Sequence, residues 1–294
     1  MKRIIIILMF TMICSQSAHA ADESIPCGLE PTNMAIDYGD VIGCAINPVG
    51  DTDIYHFNGI TNEFITILVT RTDDFVQPCV ELTAPDNSTI VECDLSADHR
   101  IDTVLDQTGT FSLLVSDWNS DDAGDYTISL ERINPVSSGA RQIAYNESLQ
   151  DDIDPAGDID LFFFEGSDND NVSILVTRTD DFVQPCVELT APDNSTTVEC
   201  DLSADHRIDT ILDQTGTFSL LVSDWNSDDT GDYTISLQCI SGDCLDGSGD
   251  GDPGGGDSSG GDSGGGDSGG GGDNNSSSSS SSSGCFIDTT AFQK

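Results

Sequence analysis

ILVTRTDDFVQPCVELTAPDNSTIVECDLSADHRIDTVLDQTGTFSLLVSDWNSDDAGDYTISL, residues Ile67–Leu130, occurs twice in this chain. Ile174–Leu237 repeats it at an offset of 107, and only three of the 64 positions differ: Ile90/Thr197, Val104/Ile211 and Ala123/Thr230. A repeat this long sets the architecture before any motif does. Within it, Val80, Leu82 and Ala84 alternate with Glu81 and Thr83, the period of a strand. Pro85-Asp86-Asn87 has turn chemistry, and position 86 lies midway between Cys79 and Cys93. A hairpin folding there sets the two cysteines opposite each other, within bridging reach. The same argument pairs Cys186 with Cys200.

Working outward, short alternating segments fall near Tyr38–Ile46, Asp51–Phe57, Glu63–Arg71, Cys79–Ala84 and Thr89–Cys93. Three more fall near Arg100–Leu105, Thr110–Ser116 and Asp125–Glu131. The inward faces are legible as Tyr55/Phe57, Ile65/Ile67/Val69, Phe111/Leu113/Val115 and Tyr126/Ile128/Leu130. This pattern predicts an all-β chain of two tandem antiparallel β-sandwiches, each roughly 95–100 residues and large enough for its own core. The expected organisation is a signal peptide at 1–20, an N-terminal segment at 21–35, sandwiches at 36–133 and 143–240, and a linker at 134–142. An acidic Gly/Asp/Ser-rich tether at 241–284, unable to form a core, then leads to a tail at 285–294.

Lys2 and Arg3, the apolar run Ile4–Ile13 and the small-residue site Ala18-His19-Ala20 mark a secretory leader, cleaved after Ala20. No later segment is apolar enough to span a membrane as a helix. Export makes disulfides the default for the nine cysteines beyond the leader. Cys27 pairs with Cys44 at the leading edge of the first copy, where the second has Asp151 in place of Cys44, and Cys239 pairs with Cys244. A net charge of −44, from 53 acidic and 9 basic residues, repels nucleic acid and anionic lipid. It attracts divalent cations and basic partners; salt adaptation and metal binding both fit it.

The loop DWNSDDAGD offers Asp117, Asn119, Asp121, Asp122 and Asp125 as candidate calcium ligands, repeated as Asp224, Asn226, Asp228, Asp229 and Asp232. Alternating oxygen ligands closed by a glycine suit a hard cation, although no bidentate Glu sits at the end. Asp51/Asp53 and Asp158/Asp160 form a second candidate calcium set. Trp118 and Trp225 lie in the same loop and are candidate contacts for an extracellular protein or glycan. Beyond the leader, histidine is confined to His56, His99 and His206. In SADHR, Ser96, Asp98 and His99 are too close along one strand to converge as a relay, so no catalytic residue is assigned.

GDTDIYHF and GDIDLFFF, then PxxxLTAPDNST-like, TGTFSLLVSD and GDYTISL segments, recur in the same order in both copies. This order resembles the bacterial pre-peptidase C-terminal domain over Ile36–Ile133 and Ile143–Ile240. The resemblance implies a jelly-roll-like, non-catalytic accessory module beside a secreted peptidase, with calcium used by a related collagen-binding group. Here no peptidase domain precedes the modules. The ending GCFIDTTAFQK resembles the Cys-Phe-Ile box found after Ser/Gly tracts in some exported bacterial proteins, departing from it at Asp288, Thr290 and Phe292. That resemblance makes Cys285 a processing or attachment point. The expected role is binding, adhesion or accessory display outside the cell, beside a separate exported peptidase, with two copies giving avidity. Alternatives are a secreted hydrolase with an unrecognised site and a calcium-rigidified spacer.

Overall fold

The computed structural model describes residues 24–28, 32–73, 75–180 and 182–245. The expected leader, the expected tether from 246 onward and Cys285 lie outside the described residues, whereas 241–245, expected to open the tether, end β19 and form a short 3-10 turn over Asp243–Leu245. The first sandwich comprises β1 (Ile25–Pro26), β2 (Asn33–Ala35), β3 (Asp40–Ile46), β4 (Thr52–Gly59), β5 (Phe64–Arg71), β6 (Pro78–Thr83), β7 (Thr89–Glu92), β8 (Asp98–Val104), β9 (Gly109–Asp117) and β10 (Gly124–Asn134). The second comprises β11 (Arg141–Gln142), β12 (Glu147–Ile153), β13 (Ile159–Gly166), β14 (Asn171–Arg178), β15 (Pro185–Thr190), β16 (Thr196–Glu199), β17 (Asp205–Ile211), β18 (Gly216–Asp224) and β19 (Gly231–Ser241).

Each sandwich is two facing sheets. The first has orders β1-β3-β10-β5-β8 and β2-β4-β9-β6-β7; the second has β12-β19-β14-β17 and β11-β13-β18-β15-β16. From β3 onward every strand recurs 107 residues later, even across 40–66, where the sequences diverge. The alternating apolar residues conserve the fold there without identity. The pairing is antiparallel except at three edges, where β1–β3, β2–β4 and β11–β13 run parallel. These edge strands are two or three residues long, too short to carry a periodic signal. Among the described residues no helix is long and apolar enough to cross a membrane.

The faces read as inward are inward: Tyr55, Phe57, Ile65, Ile67, Val69, Phe111, Leu113, Val115, Tyr126, Ile128 and Leu130 are all buried. Phe57 stacks on Phe111 at 5.2 Å, and Phe164 on Phe218 at 5.4 Å, so both cores are built around the same aromatic pair. Burying a side chain of this size is worth roughly 1.5–3 kcal/mol. The three differences within the 64-residue repeat avoid the core. Ile90, Val104 and Ile211 are exposed on edge strands, as is Thr197, and Ala123 and Thr230 sit in a loop.

Four disulfides staple the pair: Cys27–Cys44, Cys79–Cys93, Cys186–Cys200 and Cys239–Cys244. In the β6–β7 hairpin Val80 faces Glu92, and one step outward that register sets Cys79 against Cys93, with Cα atoms 4.4 Å apart. Cys186 and Cys200 repeat it at 4.5 Å.

The sandwiches meet through unlike faces. The outer face of β10-β5-β8 lies on the outer face of β13-β18-β15, enclosing Leu68, Ile133, Ile159, Leu161 and Leu221. Arg100 grips Glu188 through both Nη atoms, with Nη2–Oε2 at 3.0 Å. Thr127 and Ser129 donate to the Ala156 and Gly157 carbonyls at 2.7 and 2.6 Å. Asn134 donates to the Pro192 carbonyl and to Asn194.

Candidate functional site

Carboxylates gather at two places in each sandwich. The first is the turn from β9 to β10, the loop proposed for calcium. Carboxylate oxygens of Asp117, Asp121 and Asp122 lie within 4.8 Å of one another, as do those of Asp224, Asp228 and Asp229. Asn119 and Asp125 are exposed, and the backbone N–H of Asp125 donates to Asp73 at 3.0 Å. Asp232 makes the same bond to Asp180. Asn226 lies in the second loop, its N–H donating to Asp224.

Asp117 itself is already engaged. Its Oδ1 accepts the Gln77 N–H at 3.0 Å, and its Oδ2 accepts those of Asp121 and Asp122 at 3.1 and 3.2 Å. Burial pushes its pKa up, but the backbone donors outweigh burial and hold it below the ordinary carboxylate range. Asp117 thus caps its own turn while Asp121 and Asp122 keep their carboxylates beside it. Trp118 and Trp225 stand beside these turns, each 42% exposed, with backbone N–H groups donating to Gln77 and Gln184.

The second place is the start of β4 and of β13. Asp53 is fully buried; its Oδ2 accepts the Tyr126 hydroxyl at 2.6 Å, and Tyr126 and Tyr55 share a hydrogen bond at 2.7 Å. Asp53 Oδ1 and Asp51 Oδ2 are buried with no hydrogen-bond partner. Burial raises the Asp53 pKa, the Tyr126 and Thr32 hydroxyls oppose the rise, and Asp51 adds to it.

In the second sandwich Asp160 accepts from Tyr233 at 2.6 Å, and Phe162 stands where the first copy has Tyr55. Burial, then the charges of Asp158 and Asp151, push Asp160 well above the usual carboxylate range. Asp158 is turned to the backbone, accepting from Ile159 at 2.7 Å. Asp151, at the position of Cys44, pairs with Arg141 at 2.6 Å. A disulfide at the edge of one sandwich is thus an ion pair in the other.

These residues open onto a cavity of about 290 Å³ where the sandwiches join, lined by Glu131, Arg141, Asp151, Asp158 and Asp160 among others. Burial drives Glu131 up to about 7 against its bond from Ser137, with Asp158 and Asp40 adding to the rise. Sequence reasoning passed over Glu131, Arg141 and Asp151 as site residues. The only available signal was their departure from the repeat, Glu131 against Gln238 and Asp151 against Cys44.

The shared histidine is buried in both copies. His99 Nε2 accepts the Asp94 N–H at 3.4 Å, and His206 Nε2 lies 3.6 Å from Asp201. His56 sits half-buried on β4, where the second copy has Phe163.

No protein-family model matches the sequence, and no curated protein does. Among solved structures, the pre-peptidase C-terminal domain of collagenase from Bacillus anthracis is similar at 15% identity, covering 35% of this chain and 97% of that one, with a TM-score of 0.31. The M60 catalytic domain with CBM51-1 and CBM51-2 of Clostridium perfringens ZmpB is similar at 10% identity, over 68% of this chain and 34% of that one, with a TM-score of 0.20. The CBM22-1-CBM22-2 tandem of Paenibacillus barcinonensis Xyn10C is similar at 9% identity, over 64% and 83%, with a TM-score of 0.19.

Proposed function

We propose that the chain is an exported, non-catalytic binding or accessory protein, with two modules of the pre-peptidase C-terminal kind presenting duplicated loops to an extracellular protein or glycan. The observation that carries this reading is a contrast within one repeat. The one histidine that the copies share, His99/His206, is buried against its own hairpin, whereas Trp118/Trp225 are exposed at the sandwich rim. A buried histidine whose Nε2 faces its own loop is poorly placed to activate a nucleophile. Two exposed tryptophans on a rigid frame suit a contact that gains from avidity. A separate exported peptidase is the natural companion of such a module, and the Cys285 tail would serve for processing or attachment.

The full chain is expected to leave peptide and glycan substrates uncleaved while being retained on at least one of collagen fibrils, chitin and peptidoglycan. Trp118→Ala/Trp225→Ala should weaken retention about tenfold or more. Turnover that His99→Ala/His206→Ala abolishes would overturn the proposal in favour of a hydrolase.

Calcium belongs to the same reading. Asp51 and Asp53, each with one buried oxygen that lacks a hydrogen-bond partner, and their counterparts Asp158 and Asp160 supply hard oxygen ligands at matching places in the two sandwiches. Millimolar calcium is expected to raise the Tm by about 5 °C or more over the chelated protein. Asp53→Asn/Asp160→Asn should melt higher without calcium and lose the response. An unchanged response in that variant would move the ion to the Asp117 and Asp224 loops.

A further inference from the structure

We propose that this protein associates head to tail with further copies of itself, using between chains the same contact that joins its two sandwiches. The internal joint is made of unlike faces, so each sandwich also carries the face that its neighbour used. The second sandwich presents a free β19-β14-β17 face equivalent to β10-β5-β8, and the first presents a free β4-β9-β6 face equivalent to β13-β18-β15.

The residues of the joint recur on both free faces, 107 positions away. Leu68 and Leu221 are buried in the joint; Leu175 and Leu114 hold their places on the free faces and are partly exposed. Ile133 is 3% exposed and its equivalent Ile240 is 51% exposed. Arg207 stands as Arg100 does, beside its own aspartate and bonded to Ser173 as Arg100 is to Thr66, but no glutamate faces it. Its side chain is 50% exposed against 27% for Arg100. The matching Glu81, equivalent to Glu188, is left with a bond from neighbouring Thr83.

The hydroxyls show the same vacancy. Thr127 and Ser129 reach across the joint at 2.7 and 2.6 Å, whereas Thr234 and Ser236 fall back on carbonyls of β14 at 3.4 Å. Gly50 keeps the φ of +79° that matches +81° at Gly157, and a Cβ there would meet only Ser120 at 3.8 Å. At Gly157 a Cβ would collide with Thr70 and Thr127.

The copy is imperfect at Ile159/Thr52, Phe64/Asn171 and Asn134/Ser241, so the joint between chains is weaker than the one within. A net charge of −44 per chain opposes it further, and screening must come first. A contact between unlike faces is not completed by two copies; each added copy leaves the same two faces free until a ring closes or a string grows.

The test is the mass of the full exported chain by sedimentation and light scattering, from about 1 to 200 µM, in about 0.05 and 1 M NaCl. At low salt the chain is expected to stay monomeric; at high salt its mean mass should climb with concentration past that of a dimer. Glu81→Arg and Arg207→Glu each set like charges together and should weaken association about tenfold or more. The double variant Glu81→Arg/Arg207→Glu restores the pair with reversed sign and should recover it. Ile240→Asp, at an exposed position, gives the same loss without touching either charge. A wild-type chain monomeric throughout overturns the proposal. So does association that the single variants leave unchanged, or that the double variant fails to recover.

Discussion

Lowering the pH from 8 to 5 should make this protein more stable, by roughly 3 kcal/mol from Glu131 alone. Its carboxyl ordinarily titrates near 4.5 and is held at about 7 by burial in the joint between the sandwiches. A carboxyl raised by folding binds more protons folded than unfolded between those two values, so stability falls as pH rises through that window. At about 1.4 kcal/mol per pH unit, the gap between 4.5 and about 7 gives that figure. Asp160 and Asp53 are also raised by burial and act in the same direction. Asp117 and Glu63 are held low and act oppositely; their contribution is complete above the ordinary carboxylate range and is lost below it. The optimum therefore falls near pH 5, where Glu131 is protonated and the lowered groups are still charged. Glu131→Gln places at the joint the residue that the second copy carries at Gln238, and an amide oxygen can still accept from Ser137. This variant should gain about 1–3 kcal/mol at pH 8 and lose most of the dependence between pH 5 and 7. Calorimetric melts of both chains across that range decide it. A wild-type stability that climbs from pH 5 to 8 rules the argument out.

Apart from the two- and three-residue edges β1, β2 and β11, the strands were legible because they are segments of four to eleven residues with apolar residues recurring on the inward side. The β6–β7 register was legible for a further reason: a symmetric turn at Asp86 fixes which residues face each other, down to the cysteines. What the sequence could not show is what lies between copies. Glu131, Arg141, Asp151 and Asp160 come from four strands, and nothing local links them. Their chemistry depends on desolvation, which only the packed joint creates. The loop at Asp117 has two uses for its carboxylates. Closely spaced aspartates suit a cation loop, yet one of them spends its oxygens on the backbone N–H groups of its own turn, as aspartate does in irregular segments. The Asp51/Asp53 pair, with less pattern in sequence, has the unsatisfied oxygens.

Removing the Cys79–Cys93 bridge with Cys79→Ala/Cys93→Ala is expected to cost about 3 kcal/mol, and the matching change at Cys186 and Cys200 as much again. The sequence separation of 14 sets the loop-closure entropy returned to the unfolded chain. The two bridges sit in separate sandwiches, so their losses should add, to about 6 kcal/mol. The folded state gives a second reason to expect a large effect. Every residue of β7, Thr89–Glu92, is exposed, as is every residue of β16, so neither strand is held by a buried side chain. The ladder to β6 or β15 and the disulfide are the main ties on these edges. Without the bridge, the amides of β7 should lose protection from hydrogen exchange before those of β6, which is buried at Val80 and Leu82 and paired on its other side with β9. Cutting Cys27–Cys44 frees only β1, which pairs with β3 over two residues, so its local opening should stop there. Melting by denaturant and exchange on the same variants separate the two effects. Full protection of β7 with an unchanged midpoint would show that the ladder alone holds the edge.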